Sequence, residues 1–248
     1  MKYLLLGIIQ GLTEFLPVSS SGHLVILKHW MYLQSEGVVM EVILHFATLL
    51  AIIIFFRRKI FEYTTKEKIS LIIVGTIPIA LIGVLFKNEI QSLFSNYLLV
   101  TATLSLTGLI LFLSRNSKEN KENIDLKMAF VIGVAQAIAL TPGISRSGIT
   151  IATALLLGLN RKKAFEFSFI LAIPALLGAL IINIPDIYET TIDIHNLVTG
   201  GISAFLSGLF ALWIFYKIVR NKDLYLFSYY LWFVAAVSLF LFLLVQIH

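Results

Sequence analysis

Six apolar runs constrain this chain more than any other feature: Val38–Phe56, Ile69–Phe86, Tyr97–Leu113, Ala164–Ile184, Leu197–Val219 and Leu224–Ile247. Each is close to the roughly 20 residues a helix needs to cross a bilayer. Lipid cannot hydrogen-bond a bare backbone, so each run must satisfy its own peptide groups. The predicted fold class is therefore all-α integral membrane protein, one membrane domain over 1–248. Charge is correspondingly scarce, at 13% of 248 residues, against about 25% in soluble domains. The net charge of +5 lies in short clusters between apolar runs, where it sets topology. Membrane lipids are the expected surroundings, and nucleic acid is not an expected partner. The absence of cysteine excludes disulfides and thiolate metal sites.

Two further apolar stretches are interrupted. Tyr3–Leu27 is broken at Pro17, which ends a helix because it lacks an N–H and disfavours helix at the residue before it. Three serines follow, and they offer N-caps for a second helix from about Gly22. Gln10 and Glu14 make the first arm a retained structural helix and not a signal peptide. Met128–Gly158 breaks in the same way around Thr141-Pro142-Gly143.

The chain also repeats itself. At a shift of 126, Gly7 meets Gly133, Gln10 meets Gln136, Ser19 meets Ser145, Ser21 meets Ser147 and Gly22 meets Gly148. At a shift of 125, Glu41 meets Glu166, Ala47 meets Ala172, Gly75 meets Gly200 and Gly83 meets Gly208. The expected organisation is two repeats, 1–120 and 121–248, each a broken segment followed by three spans.

Charge orients them. Loops Arg57–Lys68, Ser114–Lys127, Asn160–Lys163 and Lys217–Asp223 are basic, Pro185–Asn196 has no Lys or Arg, and Lys87–Asn96 has only Lys87. Keeping all four basic loops in the cytoplasm requires each broken segment to enter and leave on one side, as a re-entrant helical hairpin. Three crossings per repeat then invert one repeat relative to the other. Irregular backbone at membrane depth survives only inside protein or against a wet cavity, so the tips Gln10–His23 and Gln136–Thr150 are expected to share one site.

The tips carry unusual chemistry for lipid. Arg146 offers a fork of donors that matches phosphate. Ser145, Ser147 and the N–H groups of a helix start add neutral donors. Glu14, Ser20 and His23 stand on the first tip. A carboxylate facing a diphosphate requires a divalent cation between them, and Mg²⁺ or Ca²⁺ accepts that arrangement. An anion clamp, a metal anchor and a nucleophile are the parts of a phosphoryl-transfer site.

These motifs resemble the undecaprenyl-diphosphate phosphatases of the bacitracin-resistance type. That family carries (Gln/Glu)-x-x-x-Glu, here Gln10 and Glu14, then Pro-Val-Ser-Ser-x-Gly-His, here Pro17 to His23. Its second signature, Pro-Gly-x-Ser-Arg-Ser-x-x-Thr, is Pro142 to Thr150. The resemblance continues through Glu166-Phe-Ser-Phe and Ile173-Pro174-Ala175. It implies hydrolysis of undecaprenyl diphosphate to undecaprenyl phosphate and inorganic phosphate, which recycles the carrier for cell-wall synthesis and lowers bacitracin sensitivity. It also implies a divalent-cation requirement, a multi-pass protein of the bacterial inner membrane, and a site open to the outer face. Gln10 stands where many members have Glu, which removes one negative charge from the metal anchor.

On this reading Glu14, Ser20, His23 and Arg146 are catalytic. Ser19, Ser21, Ser145, Ser147, Thr150, Gln10 and Gln136 bind substrate or steady the tips, and Glu14 with Gln10 holds the metal. Each has a plainer alternative. Arg146 would sit at an interface, Glu14 would be a protonated carboxyl on Gln10, the serines would cap helices, and His23 would be a bonded core histidine. Ser20, His23 and water all stay open as the nucleophile. Glu41 and Glu166 read as interfacial, His45 as facing a cavity, and His29, His195 and His248 as loop or terminal residues. Trp30, Trp213 and Trp232 read as span packing or interface anchors, and Gly7 with Gly11 as a helix-packing face. A transporter or flippase for a phosphorylated lipid is the rival function, since broken helices in inverted repeats also build transporters. A homodimer is compatible with the sequence and not required by it.

Overall fold

Pro17 and Pro142-Gly143 divide the chain where the sequence places its breaks, and uninterrupted apolar runs supply the long helices. A computed structural model describes residues 1–31, 38–183, 193–221 and 223–247, and the side chains of 27–31, 38, 223 and 245–247 fall outside it. The described residues form α1 (Lys2–Phe15), α2 (Ser20–Met31), α3 (Val38–Phe55), α4 (Arg57–Glu62), α5 (Lys66–Leu85), α6 (Lys87–Leu93), α7 (Tyr97–Leu113), α8 (Leu126–Ile138), α9 (Arg146–Leu156), α10 (Arg161–Asn183), α11 (Ile194–Arg220) and α12 (Leu226–Ile247). Among them there is no strand, only an isolated bridge between Lys121 and Leu159.

Among the described residues five helices are long and apolar enough to cross a membrane: α5, α7 together with the turn that follows it (Tyr97–Asn116), α10, α11 and α12. The sixth expected span is α3, which ends one residue earlier than the apolar run. α3 has 18 residues, about 27 Å at 1.5 Å per residue, against a hydrocarbon core of about 30 Å. The chain leaves helical geometry at Phe56 (φ −98°, ψ 11°) before α4 begins. α4 and α6 form in segments read as loops. Of the loop Pro185–Asn196, only 193–196 are described; His248 and the side chains of His29 and Trp30 also lie outside the described residues, while His195 is exposed near the start of α11.

The broken segments each yield two short helices, of 14 and 12 residues for α1 and α2 and 13 and 11 for α8 and α9. None is long enough to cross alone. Leu16, the residue before Pro17, is extended (φ −63°, ψ 146°), as a following proline demands. The second break turns at Gly143, whose φ of +89° lies in the region that favours glycine.

Each broken segment lies against a long helix from the other half of the chain. α1 packs on α11, and α8 packs on α5. Glycine makes both approaches close enough. A Cβ on Gly7 would strike the Gly200 carbonyl and Ser203, and one on Gly133 would strike the Gly75 backbone. This is the small-residue packing expected of Gly7 and Gly11, and it works because lipid supplies no hydrophobic drive between helices.

Aromatic residues join three helices and the residue that follows α3. Phe169 of α10 meets Phe15 of α1 at 5.7 Å, Phe56 after α3 at 5.9 Å and Phe165 at 4.7 Å between ring centroids. Phe165 in turn meets Phe215 of α11 at 5.5 Å. Outside, Ile73, Ile77 and Leu81 of α5, Ile202 and Leu206 of α11 and Phe233 and Phe240 of α12 are exposed, as lipid-facing side chains are. Trp232 lies over Gly108 and donates to the Ser105 carbonyl at 3.1 Å, and Trp213 lies under the Lys217 ammonium at 3.6 Å. Glu166, near the start of α10, is covered by protein, with Lys163 at 3.7 Å and Lys59 at 4.0 Å, because α4 brings a cation over it. Glu41 is exposed on α3.

Candidate active site

α1 delivers Gln10 and Glu14 on one face, four residues apart. The Gln10 amide donates to Glu14 Oε2 at 3.2 Å. After Pro17 the chain reverses through Ser19, whose φ of 64° is left-handed for a residue with a Cβ and costs on the order of 1–3 kcal/mol. The Ser19 hydroxyl repays this locally by accepting the Gly22 N–H at 3.2 Å. The second helix therefore starts at Ser20 with Ser19 as its cap, earlier than the expected start near Gly22. Ser145 does the same for α9, accepting the Gly148 N–H at 3.2 Å. The matched hydroxyl pairs also correspond, Ser19 with Ser21 at 3.2 Å and Ser145 with Ser147 at 3.3 Å.

The two tips touch. The Gly143 N–H donates to Ser21 Oγ at 3.4 Å, a Cβ on Gly22 would lie 3.2 Å from Gly143 Cα, and one on Gly148 would lie 3.1 Å from Pro17 Cβ. α7 holds the second tip in place through threonines. Thr103 donates to the Pro142 carbonyl at 2.6 Å and Thr107 to the Gly143 carbonyl at 3.2 Å, while the Ser145 N–H donates to Thr107 at 3.3 Å. These residues were not singled out from sequence. The available signal was three threonines, Thr101, Thr103 and Thr107, inside an apolar run. Thr107→Val keeps the shape but orphans a buried carbonyl and a buried N–H, each worth about 1–3 kcal/mol. The expected result is a measurable fall in thermal midpoint together with reduced turnover of the purified protein.

Glu14 is the hub. Its Oε1 accepts from Arg146 Nη2 at 2.5 Å, and its Oε2 accepts from Ser20 Oγ at 3.1 Å as well as from Gln10. The Glu14 and Arg146 side chains are 8% and 15% exposed, so each neutralises a charge the other could not leave in the interior. His45 of α3 brings Nε2 to 4.0 Å from Glu14 Oε2, with its Nδ1 against the Glu41 carbonyl at 2.8 Å. His23 is oriented from two sides, Nδ1 on the Ser19 carbonyl at 2.9 Å and Nε2 on the Tyr230 hydroxyl at 2.7 Å.

Two expected site residues are the most deeply buried of the set. Thr150 is fully buried and bonds Ser168 and the Arg146 carbonyl, at 2.5 and 2.8 Å. It ties α9 to α10. Gln136 is also fully buried, and neither amide atom has a hydrogen-bond partner. Its equivalence to Gln10 fails at the next step, because the position matching Glu14 is Leu140.

A divalent cation fits the donors at Glu14 and Gln10 in one way. The Gln10 amide nitrogen is used on Glu14, which leaves its carbonyl oxygen as the second donor atom a cation would take. Among the described residues no group of three His, Cys, Asp or Glu assembles, so Glu14 and Gln10 would leave most of a cation's shell to other oxygens. The arrangement as a whole can clamp an anion with Arg146 and two helix starts, and can remove a proton from Ser20 with Glu14.

Comparison with known proteins gives the same answer along the whole chain. The family profile described as bacitracin resistance protein BacA matches residues 3–237. An undecaprenyl-diphosphatase of Carboxydothermus hydrogenoformans is 41% identical, covering 96% of this chain and 95% of its own. One of Halothermothrix orenii is 40% identical over 97% of each chain. One of Thermosipho africanus is 40% identical over 97% of this chain and 99% of its own. With the profile covering nearly the full length and both tip motifs inside it, the chain belongs to the bacitracin resistance protein BacA family.

Proposed function

We propose that this chain is an undecaprenyl-diphosphatase, hydrolysing undecaprenyl diphosphate to undecaprenyl phosphate and inorganic phosphate, and that the two tips are its active site. The observation that carries the site assignment is the Glu14 carboxylate, on which Arg146 from one tip and Ser20 from the other converge. Arg146 binds the terminal phosphate through the N–H groups not used on Glu14, and the α2 and α9 starts add their dipoles. Ser20 Oγ attacks the terminal phosphorus as its proton passes to Glu14. The bond to the bridging oxygen breaks, and undecaprenyl phosphate leaves. Water then attacks the phosphoserine and its proton passes to His23 by way of the bonded Tyr230 hydroxyl; the bond from phosphorus to Ser20 Oγ breaks, Oγ takes back the proton held by Glu14, and inorganic phosphate departs. Ser20 is favoured over His23 as nucleophile because its proton already rests on a base, whereas both His23 nitrogens are bonded. Mg²⁺ or Ca²⁺ would be held by Glu14 with the Gln10 carbonyl, and when bound it supplies the positive charge that lets a carboxylate and a diphosphate share the site.

The finer architecture is a single domain of two inverted repeats, 1–120 and 121–248, in the bacterial inner membrane, with the site open to the outer face. What supports it is reciprocal packing. α1 on α11 and α8 on α5 are equivalent pairs under the repeat, with Gly7 matching Gly133 and Gly200 matching Gly75. The basic loops support the orientation.

The direct test is phosphate release from undecaprenyl diphosphate by the purified chain in detergent, with and without chelator. Release abolished by chelator supports a metal-dependent diphosphatase. No release from folded protein with any cation sinks the reading in favour of a lipid transporter, for which a clamp suffices and a Ser20–Glu14 proton path has no use. Glu14→Gln is expected to lower turnover by at least about 10²-fold and to raise the cation concentration for half-activation. An unchanged metal titration would remove Glu14 as the anchor.

A further inference from the structure

We infer that Tyr230, on the last helix, is a positioning residue that holds His23 ready for proton transfer. The inference rests on the reading of His23 as a proton-transfer group.

The Ser19 carbonyl can only accept a hydrogen bond, so the nitrogen facing it, Nδ1 at 2.9 Å, carries the ring proton. In the neutral imidazole Nε2 is then a lone pair. Tyr230 Oη lies 2.7 Å from it and donates into that lone pair. The two rings are parallel within 3°, their centroids 5.7 Å apart. A ring bonded at both nitrogens cannot turn without breaking both bonds. Ser19 therefore selects the tautomer and Tyr230 fixes the plane, with the left-handed backbone at Ser19 aiming the carbonyl.

The phenol suits both states of the reaction. A hydroxyl is donor and acceptor. With its one lone pair facing Tyr230, Nε2 gains its proton through the phenol, which passes its own hydrogen to Nε2 as it takes one from water and then accepts from the imidazolium, so His23 keeps its partner with little movement of either ring. A purely donating group would have to leave. Tyr230 is separated from His23 by the whole repeat and lies outside both tip motifs, so motif comparison does not find it.

The test is a double-mutant cycle read by phosphate release from undecaprenyl diphosphate with the full chain in detergent. Tyr230→Phe keeps the stacked ring and removes only the hydroxyl. The expected result is a kcat about 10-fold lower, the equivalent of one net hydrogen bond, with KM within about twofold. In the His23→Ala background, Tyr230→Phe is expected to change the residual turnover no further. An equal fall in both backgrounds, or a rise in KM with unchanged kcat, overturns the positioning role. Full activity of His23→Ala overturns the reading of His23 itself, a different failure, and takes the inference with it. Nitrogen chemical shifts of the His23 ring in the unmodified chain test the geometry without a variant. The Nδ1–H tautomer is expected, and an Nε2–H tautomer overturns the inference.

Discussion

Arg146→Ala is expected to abolish measurable phosphate release, a loss of at least about 10²–10³-fold, the range seen when one preorganised donor to a developing anion is removed. The same substitution strands Glu14. The carboxylate loses its charged partner at a site 8% exposed, and breaking a buried pair from one side costs about 3–5 kcal/mol. Lower stability is therefore expected alongside lost activity, and two further variants separate the effects. Arg146→Lys keeps a cation near Glu14 but loses the planar fork that matches phosphate. It is expected to recover most of the thermal midpoint and little of the turnover. Arg146→Ala combined with Glu14→Gln removes both charges and is expected to be more stable than Arg146→Ala alone while staying inactive. Turnover near the unmodified level in any of the three, measured on monodisperse protein, would dismiss Arg146 as the phosphate clamp.

Gly11→Leu is expected to prevent the protein from accumulating in folded form. Even a Cβ at this position would strike the Ala204 carbonyl and lie 2.7 Å from the Gly208 nitrogen. Both are backbone atoms of α11, so no rotamer change relieves the clash, and α1 must separate from α11. Overpacking against movable side chains costs about 1–3 kcal/mol; here the whole helix interface is lost. Any molecules that still fold carry Gln10 and Glu14 on a displaced α1, and a shift of about 1 Å at a catalytic group can cost about 10²-fold in rate. Gly178→Ala is the control, since a Cβ there meets nothing within 4 Å. Its thermal midpoint and turnover are expected to match the unmodified chain. A well-folded, active Gly11→Leu would mean that α1 and α11 are not in this contact.

Much of this was legible from residue order, and the places where it was not have physical causes. The helix ends at the breaks follow from proline, because the rule acts on neighbours in sequence. The contact of Gln10 with Glu14 follows from helix pitch. The Glu14–Arg146 pair was anticipated only as two residues in one site, since nothing in the sequence gives the rotation of one tip against the other. The contact of Thr150 with Ser168 is hidden from the sequence for the same reason. Its motif position is shared with the serines, but the face it presents is set by α10, where Ser168 takes its hydroxyl. Gln136 shows the limit of repeat reasoning. The match to Gln10 is an identity of type, and the partner that gives Gln10 a role is a leucine in the second copy.

By itself the sequence determined the class and the chemistry. Apolar runs, breaks and basic loops are one-dimensional features, and their consequences in lipid follow from the cost of bare peptide groups and buried charge. The motifs then named the family. Only the tertiary structure decided which groups share a bond. It put the Ser20 proton on Glu14, gave the second tip its support from Thr103 and Thr107, and set Tyr230 against His23. These partners lie up to 207 residues apart, on helices whose relative rotation is set by the packing of whole faces, and no local rule reaches that far.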